Sequence, residues 1–248
     1  MNHLLFELCC GSAEDVLAAE AGGAARVELN SALFLGGLTP TLGSLLEAKA
    51  NTSIPILCMV RPREGGFCYT NGEFNAMLRD AALLLEHGAD GIVFGILHQD
   101  GTVDIERCRR MLAVIGDKPA VFHRAIDVTP DPLAALDILI ELGFKRVLTS
   151  GQAPTVPLGV AVIKRMMDHA AGRIEILPGG GIEGWNAAWV MEQTGARQLH
   201  AMVHRPADDR STRGNPAIFF GGAAYPPEDR FLQADSTAVA RFIGQMRG

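Results

Sequence analysis

AVFHRAIDVT, residues 120–129, begins as a buried strand and ends as a site. Ala120, Val121 and Phe122 are small, branched and aromatic apolar residues, the composition of a strand covered on both faces. His123, Arg124 and Asp127 follow at once, placing an imidazole, a permanent cation and a carboxylate where the apolar run stops. The fold turns on whether other strands in the chain do the same.

They do. Short apolar runs recur at LLFELC (4–9), ARVELN (25–30), PILCMV (55–60), GIVFGI (91–96), PAVFH (119–123), KRVLT (145–149), IEILP (174–178) and QLHAMV (198–203). An amphipathic stretch separates each pair, with start signals at Ser12 and Asp15, Thr39-Pro40, Asn71 and Glu73, Asp104, and Asp131-Pro132. Gly88, Gly143 and Gly195 punctuate helix ends. Strands this continuously apolar, alternating with helices, predict a parallel sheet covered by helices. In 248 residues the simplest closure is a single (βα)8 TIM barrel over residues 1–248. A doubly wound sheet would need a topological switch and a second domain, and no shift in composition marks one. The stretch 205–234, rich in Gly, Pro and charge, reads as a long loop before the last helix.

Composition narrows the partners. The net charge is -6 and no run of Lys or Arg forms a basic stripe, which argues against nucleic acid and anionic membrane. No apolar run is long enough to span a bilayer, and the N-terminus lacks a basic region ahead of its apolar residues. Five cysteines without a CxxC pair read as reduced thiols, so the expected location is cytoplasmic and the expected partner a small anion or a metal ion.

A barrel binds ligands at the C-terminal ends of its strands. Those ends here carry Glu7, Glu28, Arg61, Arg63, His123 with Arg124 and Asp127, Ser150, the glycines 179–181 and His200. Alternation puts Glu7 on the face of Cys9, Glu28 with Asn30, Arg61 with Met59 and Arg63, and His123 with Val121. Ionised groups inside a barrel must be paired or reached by water, so two glutamates against Arg61 and Arg63 read as either ion pairs or a site. Glu7, Glu28, His123, Asp127 and His200 are the acid–base candidates, because mixed titratable groups in one cleft shift one another's pKa values. Arg61, Arg63, Arg124, Ser150, Gly179, Gly180 and Gly181 are the anion-binding candidates, the glycines by offering backbone N–H groups ahead of a helix. Cys9, Cys58 and Cys68, with Met59 and Met202, are the soft donors that copper(I) would use.

FELCC, RVELN followed by GGLTP, RPR followed by FCYTNGEF, VFHRAID, RVLTSGQ and PGGGI, in this order, resemble the CutC family over roughly residues 4–200. The resemblance implies a cytoplasmic barrel associated with copper homeostasis and a tendency to bind copper. The chain departs from the family pattern at Asn30, where many members carry Cys, and at Leu57, where a His is frequent. His200 is followed by Ala201 and Met202, not by small hydroxyl residues. Two functional expectations follow: a copper(I)-binding homeostasis protein, and a barrel enzyme that acts on a small anionic substrate, phosphorylated ones included, by acid–base chemistry. Self-association fits either.

Overall fold

The computed structural model describes residues 4–220 and 230–247. Strands β1 (Leu5–Cys10), β2 (Arg26–Leu29), β3 (Ile56–Met59), β4 (Gly91–Phe94), β5 (Ala120–Phe122), β6 (Arg146–Thr149), β7 (Glu175–Pro178) and β8 (Gln198–Ala201) form one parallel sheet. Its order is β7-β6-β5-β4-β3-β2-β1-β8, so β1 pairs with both β2 and β8. A parallel bridge from Gly179 to His200 joins the two remaining edges, giving the nearly closed barrel expected from the sequence.

Helices α1 (Ala13–Ala21), α2 (Leu42–Asn51), α3 (Asn71–Glu86), α4 (Ile105–Ile115), α5 (Pro132–Leu142), α6 (Val156–Ala170) and α7 (Gly184–Thr194) connect the strands, and α8 (Ser236–Met246) closes the ring. Ser12, Asp104 and Asp131 cap α1, α4 and α5 as the sequence indicates, each accepting a hydrogen bond from a first-turn amide. Two starts shift by a residue or two. Thr41 caps α2, while Thr39 Oγ1 accepts from the N–H of Arg61, just beyond β3; Thr70 forms a capping box with Glu73 at α3.

Alternation along the strands divides the interior. Leu8, Leu29, Ile56, Cys58, Ile92 and Phe122 face the helices in the main core. Leu57, Met59, Val93 and Val121 face inward and form a small apolar plug of their own. Polar side chains fill the barrel on either side of that plug.

Residues 205–234 are not wholly a loop. β9 (His204–Asp208) and β10 (Arg230–Ala234) pair antiparallel as a ribbon; residues 221–229 between them lie outside the described residues. The ribbon is tied to α1 by Asp15, which accepts from Ala234 N–H at 2.6 Å and lies 3.3 Å from His204 Nε2. Pairing across so long a connection leaves no local turn signal in the sequence.

Candidate active site at the C-terminal mouth

Below the apolar plug the charges pair with one another, leaving Arg146 Nη1 as a buried atom without a hydrogen bond. Glu7 is 2% exposed and is ion-paired with Arg26. Its other oxygen lies 2.8 Å from His200 Nδ1, and Arg146 Nη1 is 3.9 Å away. Arg26 continues to Gln198 Oε1 at 2.7 Å, and Arg146 to Glu175 at 2.8 Å. Burial alone would raise the Glu7 pKa; the His200 hydrogen bond and the Arg26 charge outweigh it and hold the carboxyl down at about 2. Glu7 therefore lies beneath the mouth, and its cationic partners are Arg26 and Arg146, not Arg61 or Arg63.

Above the plug a cavity of about 590 Å³ opens at the C-terminal ends of the strands, a volume suited to a small molecule. Cys9, Glu28, Arg61, His123, Arg124 and His200 are among its walls. Cys9, Glu28 and His200 each place a donor atom within 4.8 Å of the others, and all three are buried. Asn30 Nδ2 bridges them, donating to Glu28 Oε1 at 3.1 Å and approaching Cys9 Sγ at 3.6 Å. Glu28 Oε2 has no partner.

Burial and the nearby Glu7 raise the Glu28 pKa, with His200 opposing them. For His200 burial works downward, yet Glu28, Cys9 and Glu7 together push its pKa well above the ordinary histidine value. Burial keeps Cys9 a thiol. His200 thus stands as an imidazolium between two carboxyl groups, the firmly ionised Glu7 below it and Glu28, reluctant to ionise, at the mouth.

His123 is the opposite kind of histidine. Burial, and then the charge of Arg61, hold its pKa down at about 3, so the ring is neutral. Nδ1 accepts the Ala125 N–H at 3.1 Å, which places the proton on Nε2, a buried atom with no partner. The ring packs against Phe67 at 4.8 Å between centroids.

The other sequence candidates separate. Arg61 Nη1 donates to the carbonyls of Leu35 and Gly37, each at 3.0 Å, and Nη2 to Gly65 at 2.8 Å, leaving a buried Nε without a partner. Arg61 so clamps the loop after β2 and faces no carboxylate among the described residues. Arg63 points away, half-exposed, into an ion pair with Glu73. Asp127 has both oxygens occupied: Thr149, Ser150, Gln152 and Arg124 all donate to it. It fixes Arg124, whose Nη2 also reaches Ser150 Oγ at 2.6 Å, and is a positioning residue. Gly179, Gly180 and Gly181 line the mouth. Gly180 has φ +116°, and a Cβ there would come within 3.2 Å of Arg124 Nη1. Glu183 stands at the start of α7 in the same wall, so an anion there would meet a carboxylate as well as helix amides.

The three cysteines do not assemble. Cys58 lies on the helix-facing side of β3, fully buried, with its thiol pushed up by burial to about 12. Cys68 is exposed in the loop before α3 and its carbonyl accepts from Arg63. Of the three thiols only Cys9 reaches the cavity, whose walls also include the thioethers of Met59 and Met202. Sequence reading missed Arg26, Arg146 and Gln198, and took Asn30 only as a lost ligand; the available signal was alternation, which puts Arg26 on the face of Glu28 and Asn30.

The CutC family model matches residues 4–204. The chain belongs to the CutC family. A CutC family protein of Treponema denticola is 52% identical over 243 residues, 98% of this chain and 99% of that one. The human copper homeostasis protein cutC homolog is 40% identical over 238 residues, covering 96% and 87%. A crystal structure of a CutC protein from Streptococcus agalactiae superposes with a TM-score of 0.76 at 33% identity, covering 80% of this chain and 98% of that one. Both barrel architecture and family agree with the sequence reading. Among the described residues no helix is long and apolar enough to cross a membrane.

Proposed function

We propose that this CutC protein is an enzyme that binds a small anionic molecule in the barrel mouth and moves a proton on it. One observation carries the reading: Glu28 Oε2, His123 Nε2, Arg61 Nε and Asn30 Oδ1, all from residues lining one cavity, are buried without hydrogen-bond partners. Each such atom costs about 1–3 kcal/mol unless something satisfies it, and a ligand in the cavity is positioned to do so. Arg124, oriented by Asp127, and the uncompensated charge of Arg61 attract the anion. His123 Nε2–H donates to a substrate oxygen and stabilises charge that develops there, a role for a neutral imidazole. The Glu28 carboxylate takes a proton from the substrate and returns it, its raised pKa bringing it toward the working pH. His200, anchored on Glu7, holds the positive charge beside it.

Hydrogen–deuterium exchange tests this. A panel of 2-keto acids, 2-hydroxy acids and sugar phosphates is incubated with the protein in heavy water and followed by NMR. We expect exchange next to the anionic group in at least one compound, slowed about 100-fold in Glu28→Gln with binding retained. Binding without exchange across the panel, or exchange indifferent to Glu28→Gln, overturns the reading.

Copper binding is the second reading, favoured by the Cys9, Glu28 and His200 cluster and by the copper homeostasis name of the human relative. The donor set does not fit copper(I) well. The cluster offers one thiol with an imidazole and a carboxyl, and the further sulfurs lining the cavity are the thioethers of Met59 and Met202, whereas copper(I) sites favour several sulfurs that include more than one thiolate. A chelator-competed titration under reducing conditions is expected to show modest affinity; tight stoichiometric binding lost in Cys9→Ser would put copper first. A cytoplasmic location is part of the proposal, supported by five unpaired cysteines. Self-association is too, supported by the exposed Trp185 and Leu158.

A further inference from the structure

A second concavity, about 1090 Å³, lies beside the mouth and is mostly apolar. Its walls come from the loop after β2, which presents Leu33 and Phe34, and from the ribbon, which presents Pro206, Phe231 and Leu232. Leu33 and Met202 belong to the walls of both cavities, so the groove continues from the polar site. Phe34 is 70% exposed, Leu232 59% and Phe231 52%. Apolar side chains left in water together, on the rim of a polar pocket, mark a surface that is covered in use.

The loop is built to hold this position. Ala32 takes a left-handed φ of 46°, and Gly36 and Gly37 have φ of 86° and 82°. Arg61 fastens the loop through the Leu35 and Gly37 carbonyls, and Ser31 pairs with Leu38 across its base. The arginine that lines the mouth is therefore also the clamp of the groove wall. A clamp shared in this way couples the shape of one cavity to that of the other.

We infer that the substrate is amphiphilic: its anionic head sits in the mouth and an apolar arm leaves past Leu33 and Met202 to lie in the groove between Phe34 and Leu232. The inference deepens the proposed function and rests on it. Continuity through two shared side chains favours an arm of the same ligand over a separate partner.

Straight-chain carboxylates from acetate to octanoate serve as probes in calorimetric titrations of the wild-type protein. Affinity should rise about two- to fourfold per added methylene, the gain expected as each enters an apolar groove. Phe34→Asp and Leu232→Asp should flatten that rise while acetate binds as before; both positions are exposed, and unchanged melting confirms folding. Equal affinity for all chain lengths, weakened throughout by Arg124→Gln, overturns the groove inference and leaves the anion site standing. Octanoate binding indifferent to Arg124→Gln contradicts the anion site instead, and binding of no carboxylate contradicts both. A wild-type dimer that Phe34→Asp dissociates, with no dependence on chain length, assigns the groove to a second copy and overturns the inference.

Discussion

The two ends of the barrel interior contain the same kinds of side chain and use them differently. At the lower end Glu7, Arg26, Arg146, Glu175 and Gln198 pair with one another, and a single buried atom, Arg146 Nη1, 3.9 Å from Glu7, lacks a hydrogen bond among the described residues. At the upper end Glu28, Asn30, Arg61 and His123 each keep a buried atom without a hydrogen-bond partner among the described residues, and all four line one cavity. A charged residue in a barrel strand is therefore not evidence of a site by itself; several open valences gathered on one cavity are. His200 connects the ends, with Glu7 below it and Glu28 and Cys9 above.

The largest expected effect comes from breaking the paired end. Arg26→Ala leaves Glu7 buried without its nearest cation and should cost about 3–5 kcal/mol in urea unfolding. A loss below about 1 kcal/mol would show that the network is not what holds this end together.

Next is the ligand side of the comparison. His123→Ala removes both the donor to the cavity and the acceptor for Ala125 N–H, whereas His123→Asn offers a carbonyl oxygen in place of Nδ1. We expect His123→Asn to keep stability within about 1 kcal/mol and to weaken anion binding roughly tenfold, while His123→Ala loses both. The reverse pattern, a destabilised Asn variant that binds normally, would make His123 scaffold.

Acid titration separates the ends by pH. The folded protein resists protonating His123 until about pH 3, while the unfolded chain takes up that proton near 6.5. Stability from this group is therefore present above about 6.5 and lost as pH falls through that window. Glu7 behaves alike lower down: its contribution is present above 4.5 and lost as pH falls toward 2. Stability measured against pH should accordingly lose its slope between 6.5 and 4.5 in His123→Asn and should keep it there in Glu7→Gln. An unchanged slope in His123→Asn would contradict the neutral imidazole.

The smallest effect belongs to Arg63. Its half-exposed pair with Glu73 predicts that Arg63→Ala changes stability by about 0–1 kcal/mol and leaves anion affinity unchanged.

These contrasts also show what the sequence could say. The barrel was legible because eight apolar runs repeat with helices between them, and family motifs such as VFHRAID and PGGGI fall on strand ends. Alternation from Met59 and Arg61 already implies that Cys58 faces the helices. It fails one step later: β3 ends at Met59, so Arg63, beyond Pro62, no longer follows a period of two. Glu7 and Glu28 look equivalent in the sequence, and only register reveals that Glu7 opposes Arg26 and His200 a layer deeper. The ribbon escaped notice because its partners, His204 with Ala234, are remote in the chain.

Parallel urea unfolding of Glu7→Gln and Glu28→Gln tests the division between the ends most directly. A neutral side chain at position 7 strands Arg26 and the His200 imidazolium, whereas one at position 28 removes a carboxylate whose ionisation the fold opposes. The account predicts a loss of about 3 kcal/mol or more for Glu7→Gln and stability equal to or above wild type for Glu28→Gln. Equal destabilisation by the two would contradict it.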